Sequence, residues 1–207
     1  MFKIAVLISG GGTDMQSIID GINSGYIKNC KIEAVLSDNP KAYGLERAKN
    51  ENIATYVLDR KSKTESVSGQ ALKIIDGKVD LIVLAGFLSI LSDEIISKYK
   101  NKIVNIHPSL IPSFCGSGMY GLNVHKKALE YGVKISGCTV HFVDEGTDTG
   151  PIILQKAVPV YYDDTPEELQ KRILVEEHKA LPEAIKYLSE GRIVVTDRKV
   201  KILEEVK

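Results

Sequence analysis

Cysteine is scarce: Cys30, Cys115 and Cys138 are the only three. An odd number with no C-x-x-C spacing argues against both a disulfide framework and a zinc site, so a reducing cytoplasm is the expected home and no metal is expected. Net charge is missing too, because 27 Lys and Arg balance 27 Asp and Glu. No summed field draws nucleic acid or an anionic membrane, and any anion site must be local. Long apolar runs are likewise missing. The stretch 4–8 is the most apolar near the N-terminus, yet it is far too short to span a bilayer and runs at once into glycines, so neither a membrane span nor a secretory signal is expected. Internal repeats, low-complexity tracts and Pro/Ser-rich linkers are absent, and nothing marks a second independent domain. What is present is 207 residues, 43% hydrophobic and 26% charged. Those are values of a globular chain able to bury a core, and they exclude collagenous, disordered and membrane-embedded classes.

Short apolar runs at 4–8, 32–36, 54–58, 81–84 and 103–106 read as buried strands. Amphipathic stretches lie between them. Met15, Ile18, Ile19 and Ile22 share one helical face that ends near Gly25, and Val67, Ala71, Ile74 and Ile75 repeat the pattern before Gly77. Strand and helix in alternation predict an α/β fold, a doubly wound and mostly parallel Rossmann-like sheet, with ligands beyond the carboxyl ends of the strands. After Gly116 the rhythm changes to a Gly-rich loop, a short helix at 122–130 and two β-rich runs, 139–143 and 152–160, which predict a hairpin or mixed-sheet extension. Thr165, Pro166 and Glu168 read as an N-cap, a first-turn proline and a capping box. That helix is expected to kink or restart at Pro182. Segment 193–207 reads equally as a β-ribbon or a trailing end, and Tyr161 and Tyr162 as packing against the start of the last helix.

The run Ser9-Gly10-Gly11-Gly12-Thr13-Asp14 follows a strand and opens a helix. Unpaired N–H groups at the positive end of a helix dipole suit an anion, most simply a phosphate. It is neither a Walker A nor a good G-x-G-x-x-G. The plainer reading is a tight turn with Thr13 or Asp14 as an ordinary N-cap. Asp14 cuts both ways, since a carboxylate caps well but repels phosphate.

Asn105 and His107 stand two apart on a strand, so they share a face, and Pro108 stops the strand. An amide N–H beside an imidazole can hold a carbonyl oxygen as charge develops on it, and the imidazole can pass a proton. If Asp148, in the acidic loop D-E-G-T-D, folds back onto His107, it favours the charged, donating form of the ring. The blander alternatives are a satisfied core histidine and a solvated turn or weak cation site. His125, His141 and His178 lack metal-ligand spacing, and Cys115 reads as an incidental thiol.

Four motifs, V-L-I-S-G-G-G-T, L-I-V-L-A-G-F-L-S-I-L, V-N-I-H-P-S-L-I-P and V-H-F-V-D-E-G-T-D-T-G-P-I-I-L-Q, stand in order along the chain. Together they resemble the phosphoribosylglycinamide formyltransferase family of folate-dependent enzymes, over 3–192. The resemblance implies a single formyltransferase domain, 1–207, with a phosphate-binding half at 1–100 and a catalytic and folate-binding half at 101–207. It implies formyl transfer from 10-formyltetrahydrofolate to the amine of glycinamide ribonucleotide, in purine biosynthesis. Asn105, His107 and Asp148 become the catalytic residues. Gly11, Gly12, Thr13 and Asp14 are then expected to meet the nucleotide phosphate, and Glu177 its ribose. Lys63, Leu88, Ser89, Ile90, Leu91, Asn105, Asp144, Glu145, Gly146, Thr147 and Asp148 would line the folate site. The family usually carries Asn at the position of Asp14, and often Arg at those of Ser89 and Lys63. The implied partners are small molecules, with no nucleic acid and no membrane, and the assembly is a monomer or homodimer. Competing readings are formyltetrahydrofolate hydrolysis, another amine acceptor such as that of methionyl-tRNA formyltransferase, and a phosphate-binding module without activity. The chain length and zero charge disfavour the tRNA enzyme, and a first strand starting at Lys3 disfavours the hydrolase.

Overall fold

The computed structural model describes residues 1–204. Its elements, in chain order, are β1 (Phe2–Ile8), α1 (Thr13–Asn23), β2 (Cys30–Ser37), α2 (Tyr43–Asn50), β3 (Thr55–Val57), α3 (Val67–Ile75), β4 (Leu81–Leu84), α4 (Asp93–Lys98), β5 (Ile103–His107), α5 (Leu122–Tyr131), β6 (Ile135–Phe142), β7 (Ile152–Pro159), α6 (Pro166–Ser189), β8 (Ile193–Thr196) and β9 (Lys199–Ile202). The first seven strands follow the order β3-β2-β1-β4-β5-β6-β7 in a mostly parallel sheet, and β8 with β9 forms a separate antiparallel pair. This is the α/β architecture that strand and helix alternation predicts. Two compact units divide the chain, one ending at Val104 and one beginning at Asn105.

In the first unit β1 pairs in parallel with β2 on one side and β4 on the other, Val6 facing Val35 and Val83. A strand covered on both faces must be apolar on both, and Ile4 through Ile8 are fully buried. The strand order reverses between β1 and β4, which makes their carboxyl ends a switch point where α/β sheets hold ligands. Helix α1 buries Met15, Ile18 and Ile19. Helices α2 and α4 leave no full periodic signal in the sequence, for a physical reason. The first buries only Gly44, Leu45 and Ala48, and the second is six residues long with Ile95 and Ile96 inside, so neither writes a full apolar stripe.

In the second unit β6 and β7 form the antiparallel hairpin, in register from Ile135 opposite Pro159 to His141 opposite Ile152. A register shift lies between Val140 and His141. Helix α6 opens with the full capping box, Thr165 and Glu168 each bonding the other's backbone, with Pro166 in the first turn. It does not restart at Pro182. The 24-residue helix runs through that proline, because Leu181, Ala184 and Ile185 are fully buried and hold both sides of the lost hydrogen bond in place. The C-terminal segment resolves in favour of a ribbon for 193–202, while 205–207 lie outside the described residues. Tyr162 is 95% exposed and packs on nothing, whereas Tyr161 lies under the Arg172 guanidinium at 4.4 Å.

Candidate active site

Strand β5 buries Ile106 on one face and turns Asn105 and His107 to the other. The chain after it is pinned by Thr139 of β6, whose hydroxyl donates to Ser109 O at 2.6 Å and accepts from Ile111 N at 3.1 Å. Gln155 of β7 adds a bond to Ile111 O at 3.0 Å. Thus held, the segment turns through Phe114, whose φ of 51° is unusual for a side chain of that bulk, with its ring edge-on to Tyr131 at 5.9 Å. Its carbonyl oxygen lies 2.9 Å from His107 Nε2. Two residues on, Gly116 N donates to Asp148 Oδ2 at 2.9 Å.

Asp148 reaches this place because the loop after β6 doubles back tightly. Gly150 passes so close that a Cβ there would sit 1.8 Å from Phe142 O, which only glycine permits. Asp144 Oδ1 accepts from Gly146 N at 3.2 Å and from the Thr149 hydroxyl at 2.5 Å, bracing the loop. Asp148 itself is left-handed at φ 59°. Its Oδ2 is 3.5 Å from His107 Nδ1, and its Oδ1 is 3.7 Å from His141 Nε2. His141 Nε2 also lies 3.2 Å from Asn105 Nδ2, and His141 Nδ1 lies 2.7 Å from Phe142 O.

The second unit therefore brings Asn105, His107 and Asp148 together, with His141 as a fourth member that sequence reasoning passed over. The available signal was modest: His141 alternates with Thr139 on one side of β6, seven residues before Asp148. His107 is 4% exposed and His141 2%. Burial holds the His141 ring below the ordinary histidine range, despite the nearby Asp148 charge. His125 on α5 is buried as well, and desolvation, with a smaller electrostatic contribution from the neighbouring His107, pushes it down to about 4. Burial and Asp148 raise the Cys115 thiol, opposite to what a nucleophile needs. Among the other named positions of this unit, Glu177 is buried on α6, Asp144 is half-buried, and Glu145, Gly146 and Thr147 are exposed. Among the described residues no group of three His, Cys, Asp or Glu is placed to hold a metal.

The glycine loop lies in the first unit. Gly12, not Thr13 or Asp14, is the N-cap of α1, left-handed at φ 71° and with no side-chain cap. A Cβ on Gly12 would stand 2.7 Å from the Gly44 backbone, so two glycines let α2 approach the loop. Gly44 N donates to Gly10 O at 3.1 Å and Arg47 Nε to Gly11 O at 2.9 Å. Thr13 and Asp14 stand in the first turn, and desolvation pushes the Asp14 carboxyl up to about 6. At the switch point, Ser9 Oγ donates to Asp38 at 2.5 Å while accepting from Leu88 N at 2.8 Å, and Ser89 Oγ donates to the other Asp38 oxygen at 2.5 Å. Leu88 and Ile90 are exposed, Leu91 is buried and Lys63 is exposed in the loop after β3.

The formyl transferase family model matches residues 2–185. A phosphoribosylglycinamide formyltransferase from Haemophilus influenzae is 43% identical over 95% of this chain and 92% of its own length. A trifunctional purine biosynthetic protein, adenosine-3, from Chironomus tentans is 42% identical over 95% of the chain, which spans only 14% of that larger protein. Among solved structures, glycinamide ribonucleotide transformylase 1 from Symbiobacterium toebii superposes with a TM-score of 0.91 at 45% identity, covering 99% of this chain and 95% of that one.

Proposed function

Because the chain belongs to the phosphoribosylglycinamide formyltransferase family, we propose that it moves a formyl group from a folate donor, 10-formyltetrahydrofolate, to the primary amine of glycinamide ribonucleotide. The observation that carries the mechanism is the grouping of buried His107 with half-buried Asp148, 3.5 Å away, and of half-buried Asn105, joined to Asp148 through His141. The amine lone pair attacks the formyl carbon, the new N–C bond forms, and the carbonyl oxygen takes on negative charge. Asn105 Nδ2 and His107 Nε2 are the donors for that oxygen, worth most where water is excluded.

His107 is flanked by two acceptors, Phe114 O at Nε2 and Asp148 Oδ2 at Nδ1. A carbonyl only accepts, so the Nε2 hydrogen points at Phe114 O. The formyl oxygen must compete with that carbonyl for the donor. Asp148 orients the ring from its far side. As the tetrahedral centre collapses, the bond from carbon to N10 breaks, and one proton leaves the attacking amine and arrives at N10, with Asp148 taking part in the transfer. The glycine loop of the first unit is assigned the nucleotide phosphate through Gly11, Gly12, Thr13 and Asp14, and Glu177 the ribose hydroxyls. Folate contacts are assigned to Lys63, Leu88, Ser89, Ile90, Leu91 and the Asp144, Glu145, Gly146, Thr147 and Asp148 loop. In this reading residues 1–100 bind phosphate and 101–207 carry the chemistry.

Purified protein with 10-formyltetrahydrofolate, assayed by folate absorbance with and without glycinamide ribonucleotide, tests the proposal. Turnover that requires the nucleotide supports it. Turnover without the nucleotide makes the chain a hydrolase, and no turnover under either condition removes the transferase reading.

A further inference from the structure

His141 makes three polar approaches from an enclosed position, to Phe142 O, to Asn105 Nδ2 and to Asp148 Oδ1. The last, at 3.7 Å from Nε2, lies beyond hydrogen-bond reach, so the first two set the tautomer. Phe142 O, 2.7 Å from Nδ1, can only accept, so Nδ1 carries a hydrogen. In the neutral ring that hydrogen leaves Nε2 with a lone pair, and Asn105 Nδ2 stands 3.2 Å away as the donor that fills it. Burial favours this neutral ring over an imidazolium that would place a second hydrogen between Nε2 and Asn105. The register shift at Val140 and His141 sets the local backbone that aims the ring.

We infer that His141 is a positioning residue: its neutral Nδ1–H tautomer engages one hydrogen of the Asn105 amide, fixes which way that amide faces, and leaves the second Nδ2 hydrogen for the developing oxyanion. An unanchored carboxamide can rotate and present its oxygen to that site instead, which repels the charge it should hold. The inference rests on the reading of Asn105 as an oxyanion donor.

Two substitutions at this position separate the two bonds of the ring. In His141→Gln the side-chain oxygen can take the place of Nε2 and accept from Asn105, while Phe142 O loses its donor. In His141→Asn the amide nitrogen can take the place of Nδ1 and keep the Phe142 O bond, while Asn105 loses its acceptor. The expected result is a kcat for His141→Gln within about threefold of the parent and a loss of about tenfold or more for His141→Asn, with both substrate KM values little changed. A merely structural pin on Phe142 O gives the reverse order. In an Asn105→Ala background, both His141 substitutions should leave kcat where Asn105→Ala alone has put it.

The opposite order of the two variants, equal kcat values, or the same fold-loss with and without Asn105 would each overturn the inference. If Asn105→Ala itself leaves kcat intact, the catalytic reading of Asn105 fails and takes this one with it. If Asn105→Ala is impaired while Gln and Asn at 141 behave alike, only the positioning role fails. Should His141→Asn not fold, His141→Gln against the parent still decides, since a tenfold loss there contradicts the expected retention.

Discussion

His107 Nε2 and Phe114 O stand 2.9 Å apart, so the hydrogen that the proposed chemistry requires is already engaged by the backbone of the neighbouring turn. That bond preorients the ring and sets a competitor for the substrate oxygen. Replacing His107 by Ala removes both the donor and the competition. Turnover is expected to fall by about 10²–10³ while both KM values shift by severalfold at most. Steady-state kinetics with the two substrates check this, and a variant altered only in KM would contradict it.

Asp148→Asn keeps an oxygen for Gly116 N but removes the charge 3.5 Å from His107 Nδ1. The amide is also free to turn an N–H toward the ring. The expected outcome is a kcat loss of about 10² or more with near-normal binding of the nucleotide, measured by titration calorimetry beside the kinetics.

Asp14 stands in the first turn of α1, beside the glycine loop assigned to phosphate. Asp14→Asn should lower the KM for glycinamide ribonucleotide by about three- to tenfold and leave kcat within a factor of two, because a local negative charge is removed without touching the reacting atoms. An unchanged or raised KM would place the phosphate elsewhere.

Asp14 and His125 also pull the pH dependence of stability in opposite directions. The Asp14 carboxyl rises from 3.8 to about 6, so its contribution favours the folded chain below 3.8 and is lost as pH rises through 6. His125 falls from 6.5 to about 4, so its contribution is present above 6.5 and is lost as pH falls through 4. Over the shared window the two partly cancel. Asp14→Asn is expected to steepen the acid-side loss, and to stabilise at neutral pH by on the order of 2 kcal/mol. His125→Leu should flatten that loss, and it also removes a buried Nδ1 with no hydrogen-bond partner among the described residues. Urea midpoints from pH 4 to 7 measure both slopes, and a pair of variants with the same pH trend would refute the assignment.

Asp38 has no exposed side-chain surface and joins Ser9 to Ser89, with Arg60 Nε at 3.8 Å. Asp38→Ala leaves two hydroxyls without their acceptor at the carboxyl ends of the strands. A loss of roughly 3 kcal/mol is expected, or about 6–12 °C in Tm. Folate KM should rise with it, since Leu88 N hangs on the Ser9 hydroxyl. A variant with parental Tm would show the network to be incidental.

Local patterns are legible in the sequence alone. The central parallel strands announce themselves because burial on both faces demands unbroken apolar runs such as that of β1, whereas β3, read as buried, is an edge strand with Tyr56 and Val57 exposed. The start of α6 is legible because a capping box needs only Thr165, Pro166 and Glu168 in sequence. The spacing of Asn105 and His107 placed both on one face, since side chains alternate along any strand. Helices α2 and α4 escaped because each buries too few residues to print a period. Pro182 misled because its local cost is real and is offset only by packing that no four-residue rule contains.

The sequence by itself determined the fold class, the capped start of α6, the shared face of Asn105 and His107, and the family. Those depend on local periodicity, and on motifs whose order survives without knowing distances. Only the tertiary structure decided that Gly12 caps α1, that Phe114 O holds His107, and that His141 holds Asn105 from 36 residues away. Such bonds join atoms that the chain separates widely, and their directions depend on loops closing within tenths of an ångström, which no residue carries alone.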